Sequence, residues 1–451
     1  MTECNQAAVP FASPKRRNLV ADFSGGVITS DAGALLLRQA DRQLGLLDAL
    51  DRVIPDPRNP EFTVHPQRTL LAQRIFGIAC GYEDLNDHQQ LRDDPLWQTA
   101  TDHPGPDDIP QLASPPTLCR LENRIQRRTL FDIAAVLVEQ FIQAHATPPE
   151  ELILDFDATD DPVHGHQEKR FFHGYYDSYC FLPLYVMCGD YLLVAYLRPS
   201  NIDPALHTGA ILKLLVKRFR QVWPNVRIIF RGDSGFCRHR LMNWCERNNV
   251  HYLLGLARNP ILQRRAAAWQ AQVEELHRAD GQAHRLFGEF TYAAATWSRE
   301  RRVIAKAEHL VGDKANPRFV VTNLTDDARV LYEDVYCQRG NMENRIKEQQ
   351  LGLFADRTSC HRFVANQFRV LLAAAAYALV SHIRRVGLVG TDLERADVGT
   401  IRLKLFKIGA WVNRSVRRLV VKMASSYPWQ ALFRTVATRL ATSGPSPAAS
   451  P

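Results

Sequence analysis

Three carboxylates, Asp157, Asp233 and Glu343, stand in settings that suit phosphodiester chemistry. Asp157 belongs to the strand-like run Leu152–Thr159. A period of two puts Ile153, Asp155, Asp157 and Thr159 on one face and Leu152, Leu154, Phe156 and Ala158 on the other. The run V-R-I-I-F-R-G-D from Val226 ends in Asp233, and strand-end acids in an open α/β sheet converge beyond the carboxyl edge, where ligands bind. In Y-C-Q-R-G-N-M-E-N-R-I-K-E-Q-Q, Tyr336, Arg339, Glu343, Lys347 and Gln350 recur at spacings of 3, 4, 4 and 3, which holds them on one helical stripe beside the apolar Leu331, Val335, Met342 and Ile346. Gly340 inside that pattern costs about 1 kcal/mol against alanine and suggests close approach of something bulky. Phosphodiesters hydrolyse very slowly unaided, and two metals about 3.5–4 Å apart activate the attacking oxygen and stabilise the leaving one. Hard cations such as Mg²⁺, with Mn²⁺ as a substitute, take carboxylate oxygens. Asp157 is expected to bridge two divalent cations, with Asp233 completing one site and Glu343 the other; Asp155, on the same face, is the substitute for Asp157. The plainer readings are strand-end acids serving as turn residues or helix caps, and a solvated helix face with pairs such as Glu343 to Lys347.

The elements that must position these residues form an α/β domain. Strands are expected at Leu152–Thr159, Leu182–Cys188, Tyr191–Leu197, Val226–Arg231 and Tyr252–Leu256, with helices at Ala205–Val222 and Arg238–Asn248. That order gives a mixed sheet whose first and fourth strands can lie side by side and parallel. Residues 258–325 read as an inserted β-rich module: a charged helix around Arg264–His277, then strand-like runs at Phe287–Ala294, Arg302–Ala307 and Phe319–Thr322. Helices return at Asp327–Leu351 and Arg362–Arg385, so the catalytic domain is expected over 148–257 and 326–390. Ahead of it, 1–18 is a loose basic arm and 19–147 a helical region. Ser30–Leu47 is capped by Ser30-Asp31, a helix spans Arg68–Cys80, and Thr117–Ala144 is one long helix. Behind it come a basic module, 391–442, and a disordered tail, 443–451.

The motifs resemble the DDE transposases of bacterial insertion sequences. The likeness rests on Asp-x-Thr at Asp157–Thr159, on Asp233 in R-G-D-S-G, and on the signature Tyr, two residues, Arg, three residues, Glu, six residues, Lys, met by Tyr336, Arg339 and Glu343. Gln350 occupies the lysine position, and Lys347 is the candidate to supply its phosphate contact. H-P-Q-R-T-L-L-A-Q-R from His65, G-Y-E-D-L-N-D from Gly81 and S-P-P-T-L-C-R-L-E-N from Ser114 look like the transposase DDE domain group 1 pattern, so the resemblance runs over nearly the whole chain. It implies an RNase H-like mixed sheet, with the separation of about 110 residues from Asp233 to Glu343 holding an insertion similar to the β insertion of related cut-and-paste enzymes. It also implies a mechanism in which metal-activated water nicks DNA at the element's ends and the freed 3′ hydroxyl attacks target DNA. Trp297, in T-W-S-R-E-R-R-V, sits where related enzymes stack an aromatic ring on a flipped base; local core is the rival role.

Composition agrees with a globular chain that meets a polyanion. Of 451 residues, 46% are hydrophobic and 23% charged, which excludes small-peptide and disordered classes. The net charge of +8 and pI near 9.0 draw in an anionic partner. Beyond Asp397 there is no acid, yet the chain carries Arg402, Lys404, Lys407, Arg414, Arg417, Arg418, Lys422, Arg434 and Arg439. The alternation I-R-L-K-L-F-K, then R-S-V-R-R, is expected to offer a cationic strand face to phosphates, with Arg402, Lys404, Arg414, Arg417 and Arg418 as its contacts. K-R-F-F-H-G-Y-Y from Lys169 interleaves cations with rings, suited to stacking on DNA or to a hairpin with buried rings beside the active site. His164, His166 and Glu168 lack the partner pattern of a zinc site. Nine cysteines without a C-x-x-C pair read as reduced thiols in a cytosolic compartment, and the resemblance implies a cytoplasmic, nucleoid-associated bacterial protein. No signal peptide is evident, and the apolar run Val370–Val380 is about half the roughly 20 residues a membrane span needs, so no membrane partner is expected.

The expectation is a transposase that binds terminal inverted-repeat DNA and target DNA and forms a homodimer in the DNA complex. The helical N-terminal region would read the repeats or pair the protomers. Its rivals are an RNase H-like nuclease or resolvase without strand transfer, and an inactive element-derived DNA-binding protein.

Overall fold

A computed structural model describes residues 9, 11–103, 111–311, 314–415 and 417–442. They form two compact units, one from the described residues up to 121 with 382–442 and the other from those of 122–381. The second unit is built on a large mixed sheet. Across it the strands run His284–Tyr292, Arg301–Leu310, Arg318–Thr322, His251–Leu256, Arg227–Gly232, Glu151–Ala158, Leu184–Cys188 and Tyr191–Tyr196, with Lys314–Ala315 beside the second. Glu151–Ala158 is parallel to Arg227–Gly232 and antiparallel to Leu184–Cys188, and Arg227–Gly232 is parallel to His251–Leu256. Each parallel step is bridged by an amphipathic helix, Thr208–Val222 and then His239–Arg247, as a parallel connection requires.

Alternation along the central strand sorts its two faces. Leu152, Leu154 and Phe156 join Ile228, Phe230, Leu212 and Phe219 in the main core, where Phe156 meets Phe230 edge to face at 5.0 Å. The opposite face holds Ile153, Ile229, Leu253, Ile304 and Val320, covered by Leu331, Tyr332, Val335 and Tyr336. The helical segment Ala328–Gly352 therefore lies on the same face as Asp155 and Asp157. It is not uniformly α: π-turns at Leu331–Tyr336 and Glu348–Gly352 and a 3₁₀ turn at Cys337–Arg339 flank the α-helical Gly340–Lys347.

Residues 258–325 have no sheet of their own. Their three long strands extend the main sheet antiparallel from His251–Leu256. The buried Arg301 ties them in, donating from Nε to Glu246 Oε1 at 2.8 Å on the helix His239–Arg247. The expected helix Thr117–Ala144 is two, Pro115–Arg124 and Arg127–Gln143, because Gln126 is extended (φ −103°, ψ 158°). The second packs on the sheet, Phe141 lying 5.1 Å from Tyr191 and 5.5 Å from Phe219, so it belongs with the sheet and not with the helices of the expected 19–147 region.

In the other unit the N-terminal helices and the C-terminal segment fold together, where the sequence suggested separate modules. Ile28–Thr29 pairs with Ala410–Ser415, which pairs with Arg418–Met423. Gln39 Nε2 donates to the Leu440 carbonyl at 3.0 Å. The expected helix Ser30–Leu47 breaks at Gly45, whose φ of 62° is left-handed, into Ala34–Leu44 and Leu46–Val53. Asp31 does not cap it. Buried, it accepts from the Tyr82 hydroxyl at 2.6 Å and Trp97 Nε1 at 3.2 Å and pairs with Lys407 at 2.8 Å. The tail 443–451 and residues 1–8 and 10 of the arm lie outside the described residues.

The helix through Phe363–Gly387 is 25 residues long, and by length and composition it could cross a membrane. Its most apolar window is 83% buried inside the protein, the state of a core helix.

Candidate active site

Register brings the two aspartates together. Arg227–Gly232 pairs with Glu151–Phe156 at a constant offset of 76 residues, Asp155 opposite Arg231 and Phe156 opposite Gly232. One step further along the same offset, 157 and 233, the two acids leave the carboxyl edge. They share a face with Asp155 and Arg231, which changes the standing of Asp155. Arg231 grips it with two bonds, Nη2 to Oδ2 at 2.6 Å and Nε to Oδ1, and its Nη1 donates to the Val335 carbonyl. Both side chains are buried. Burial still pushes the Asp155 carboxyl up, with Arg231 pulling the other way. Asp155 is a structural anion that fastens the strand to the segment carrying Glu343, so its role as substitute for Asp157 is not the one this geometry supports.

Asp157 and Asp233 have no such cation on the sheet. Asp157, whose side chain is 15% exposed, receives Arg339 Nη1 at 3.1 Å, and Arg339 Nη2 reaches Glu343 Oε1 at 2.8 Å. One guanidinium thus spans a strand acid and a helix acid. The Asp157 carboxyl is nonetheless pushed up to about 6, chiefly by burial, with Arg339 opposing and the charges of Asp233 and Glu343 adding to the rise. Asp233 caps the 3₁₀ turn Ser234–Phe236, accepting the Gly235 amide at 2.8 Å. The Tyr336 phenol is half-buried and pushed up by that burial, with Arg339 opposing and Asp233 reinforcing.

A glycine that the sequence did not single out makes room for the ring. A β-carbon on Gly255 would lie 2.6 Å from the Tyr336 hydroxyl, 2.9 Å from the Ser234 amide nitrogen and 3.1 Å from the Asp233 carbonyl carbon. Gly340 shows the reverse: nothing lies within 4 Å of a β-carbon there, so its helix has open space and no close neighbour. Gln350 donates from Nε2 to the Asp160 carbonyl at 2.8 Å, anchoring the end of the helical segment to the loop just past Asp157. Lys347 is exposed.

The model for the transposase DDE domain group 1 family matches residues 11–445. The chain belongs to that family. No curated protein matches this transposase-family chain. Among solved structures it is similar to a piggyBac transposase, from a cryo-EM structure of its synaptic complex with hairpin DNA. The identity is 11% and the TM-score 0.39, over 84% of this chain and 80% of that one.

Members of a DDE transposase family generally use divalent metal ions, and the residues here can be tested against that need. Asp157, Asp233 and Glu343 offer hard oxygen donors, the charges of Asp233 and Glu343 add to the burial-driven rise of the Asp157 carboxyl, and a guanidinium sits where positive charge is wanted. With that guanidinium between them they do not yet converge: among the described residues, no three His, Cys, Asp or Glu side chains are grouped to hold an ion. The donor set fits a hard divalent cation in chemistry.

The remaining expected DNA contacts of the transposase chain are scattered. Trp297 is half-buried against the main core, edge-on to Tyr292 at 5.5 Å and under Arg301 at 5.2 Å. Residues Val398–Phe406 are helical, contrary to the expected strand face. Ile401, Leu405 and Phe406 bury one helical side, a spacing the alternating run also satisfies. Arg402 is spent on the end of the helix Gln67–Cys80, donating from Nε to the Ala79 carbonyl at 2.9 Å. Lys404 lies over Trp429 at 4.2 Å. Arg414, Arg417 and Arg418 are exposed on the hairpin Ala410–Ser415 and Arg418–Met423 and its turn.

Proposed function

We propose that this protein is a metal-dependent DNA transposase that binds the terminal inverted repeats of an insertion sequence, cleaves the DNA and joins the 3′ ends to target DNA. The observation that carries the reading is the single guanidinium of Arg339 joining Asp157 to Glu343 beside the strand-end Asp233. The order of the five strands around it, with only the neighbour Leu184–Cys188 antiparallel to the central strand and Tyr191–Tyr196, Arg227–Gly232 and His251–Leu256 running parallel to it, suits an RNase H-like domain. Asp157, Asp233 and Glu343 would hold two divalent cations, Mg²⁺ or Mn²⁺, which supply activation of the attacking oxygen and stabilisation of the leaving one. Arg339, once the carboxylates are neutralised, is free to meet the scissile phosphate, and Tyr336 fixes the helix to the floor at Gly255. Arg414, Arg417, Arg418 and Lys347 are exposed and would meet phosphate along the DNA.

The test is cleavage of DNA carrying the element's ends by the purified full-length protein. Chelation should abolish it and Mg²⁺ restore it. Asp233→Asn should eliminate cleavage while salt-sensitive binding to the ends persists; unchanged cleavage refutes the assigned site. Pre-cut ends then separate the rival enzyme, since hydrolysis without joining indicates a nuclease.

A further inference from the structure

Three residues past the central strand, the chain forms a small second sheet in the order Asp161–Pro162, Ser178–Phe181, Phe171–His173. Its hairpin turns through Gly174-Tyr175-Tyr176-Asp177, with Asp177 left-handed at φ 50°. Register places Phe172 opposite Tyr179, their rings 5.6 Å apart, and period two puts Arg170 on the same face, its guanidinium 4.6 Å over the Tyr179 ring. Phe172 is 53% exposed, Tyr179 49% and Tyr175, at the tip, 85%. Lys169 adds a second cation, 4.9 Å over Phe363. Residues 169–173 and 178–181 contain no acid.

A folded chain rarely leaves a ring pair such as Phe172–Tyr179 in water with a further exposed ring, Tyr175, on the same hairpin, and a polar-rimmed apolar patch marks an interaction surface. The first strand of this small sheet follows directly from the strand that carries Asp157, and Gln350 of the helical segment that carries Glu343 donates to the Asp160 carbonyl between the two strands. Tyr176, beside the tip, is pushed up to about 12 by burial, with Asp160 and then Asp157 among the charges that reinforce the shift.

We propose that this hairpin is a stacking platform for unpaired nucleobases of the DNA strand held at the Asp157 site. The chemistry selects that occupant. Rings stack on a base only where its flat face is uncovered, which paired DNA offers at ends and at extruded positions, while Arg170 and Lys169 provide the positive charge a phosphate backbone seeks. A duplex without openings has no face to give. The inference rests on the DNA-processing reading of the site but concerns a different surface.

The test uses the full-length protein, a fluorescent single-stranded oligothymidylate carrying one 2-aminopurine, and the matching blunt duplex. Phe172→Ala combined with Tyr175→Ala should weaken single-strand binding about tenfold or more and remove the quenching of 2-aminopurine, with duplex binding within about twofold of wild type. Tyr175→Trp, which keeps a stacking ring, should retain wild-type binding. Both positions are exposed, so melting temperatures should not move. Unchanged single-strand binding, equal loss on the duplex, or no single-strand binding by the wild type overturns the proposal; so does a change of oligomeric state with single-strand binding intact, which would assign the rings to a protein contact. Cleavage distinguishes this failure from that of the active-site reading. A wild type that cleaves alongside a hairpin variant that binds normally sinks the platform alone, whereas ring-dependent binding without cleavage sinks the catalytic reading alone.

Discussion

Asp155 and Asp157 sit two residues apart on one strand face and differ in what the neighbouring strand sets opposite them, Arg231 in one case and the strand-end position of Asp233 in the other. The two should therefore fail in different ways. Asp155→Asn leaves Arg231 buried with a neutral partner and should cost about 3 kcal/mol, seen as a lower denaturation midpoint. Asp157→Asn removes a carboxyl that burial already disfavours, so it should leave the midpoint unchanged or raised while cleavage is lost. In the helical unit, burial pushes Asp41 up to about 6 despite the Leu47 amide at 2.8 Å and Arg68 at 2.8 Å. A carboxyl held above its unfolded value of about 3.9 contributes stability that is fully present below that value and is lost as pH rises through about 6. Asp41→Asn should thus be more stable than the parent at about pH 8, by at most about 3 kcal/mol, and equal to it near pH 4, as thermal melts at the two pH values would report.

At the scale of elements, the segment Ala328–Gly352 delivers Arg339 and Glu343 to the sheet through the fit of Tyr336 against the strand His251–Leu256. Two glycines near this contact make opposite predictions. Gly255→Ala forces a methyl into the Tyr336 hydroxyl and the Ser234 backbone, so the helix must shift and cleavage should fall by about 100-fold, measured as the rate at saturating metal. Gly340→Ala meets open space in an α-helical turn and should raise stability by about 1 kcal/mol in denaturant titrations. Helical periodicity made the stripe of Tyr336, Arg339 and Glu343 legible. The π-turns on either side were not, because they arise from packing on the sheet and leave no mark in residue spacing.

At the scale of the whole molecule, the N-terminal helices and the described segment 382–442 share one unit: Ile28–Thr29 is an edge strand for Ala410–Ser415, and Arg402 satisfies the last carbonyls of Gln67–Cys80. Truncation after residue 390 should leave the N-terminal helices without these partners. Limited proteolysis should then cut within 34–100 while the sheet unit, 122–381, keeps its protection. Sequence alone determined what depends on near neighbours along the chain: the strand and helix order around Asp157 and Asp233, the spacing that aligns Arg339 with Glu343, and the acid-free C-terminal segment. Those features follow from periods of two and 3.6 and from composition. Tertiary structure decided which of two aspartates is neutralised, that Gly255 and not Gly340 is the close approach, that 258–325 widens the main sheet, and that the rings of the 171–179 hairpin stand in the open. Each depends on which residue faces which across the sheet, and cross-strand register is set by packing between segments far apart in the chain.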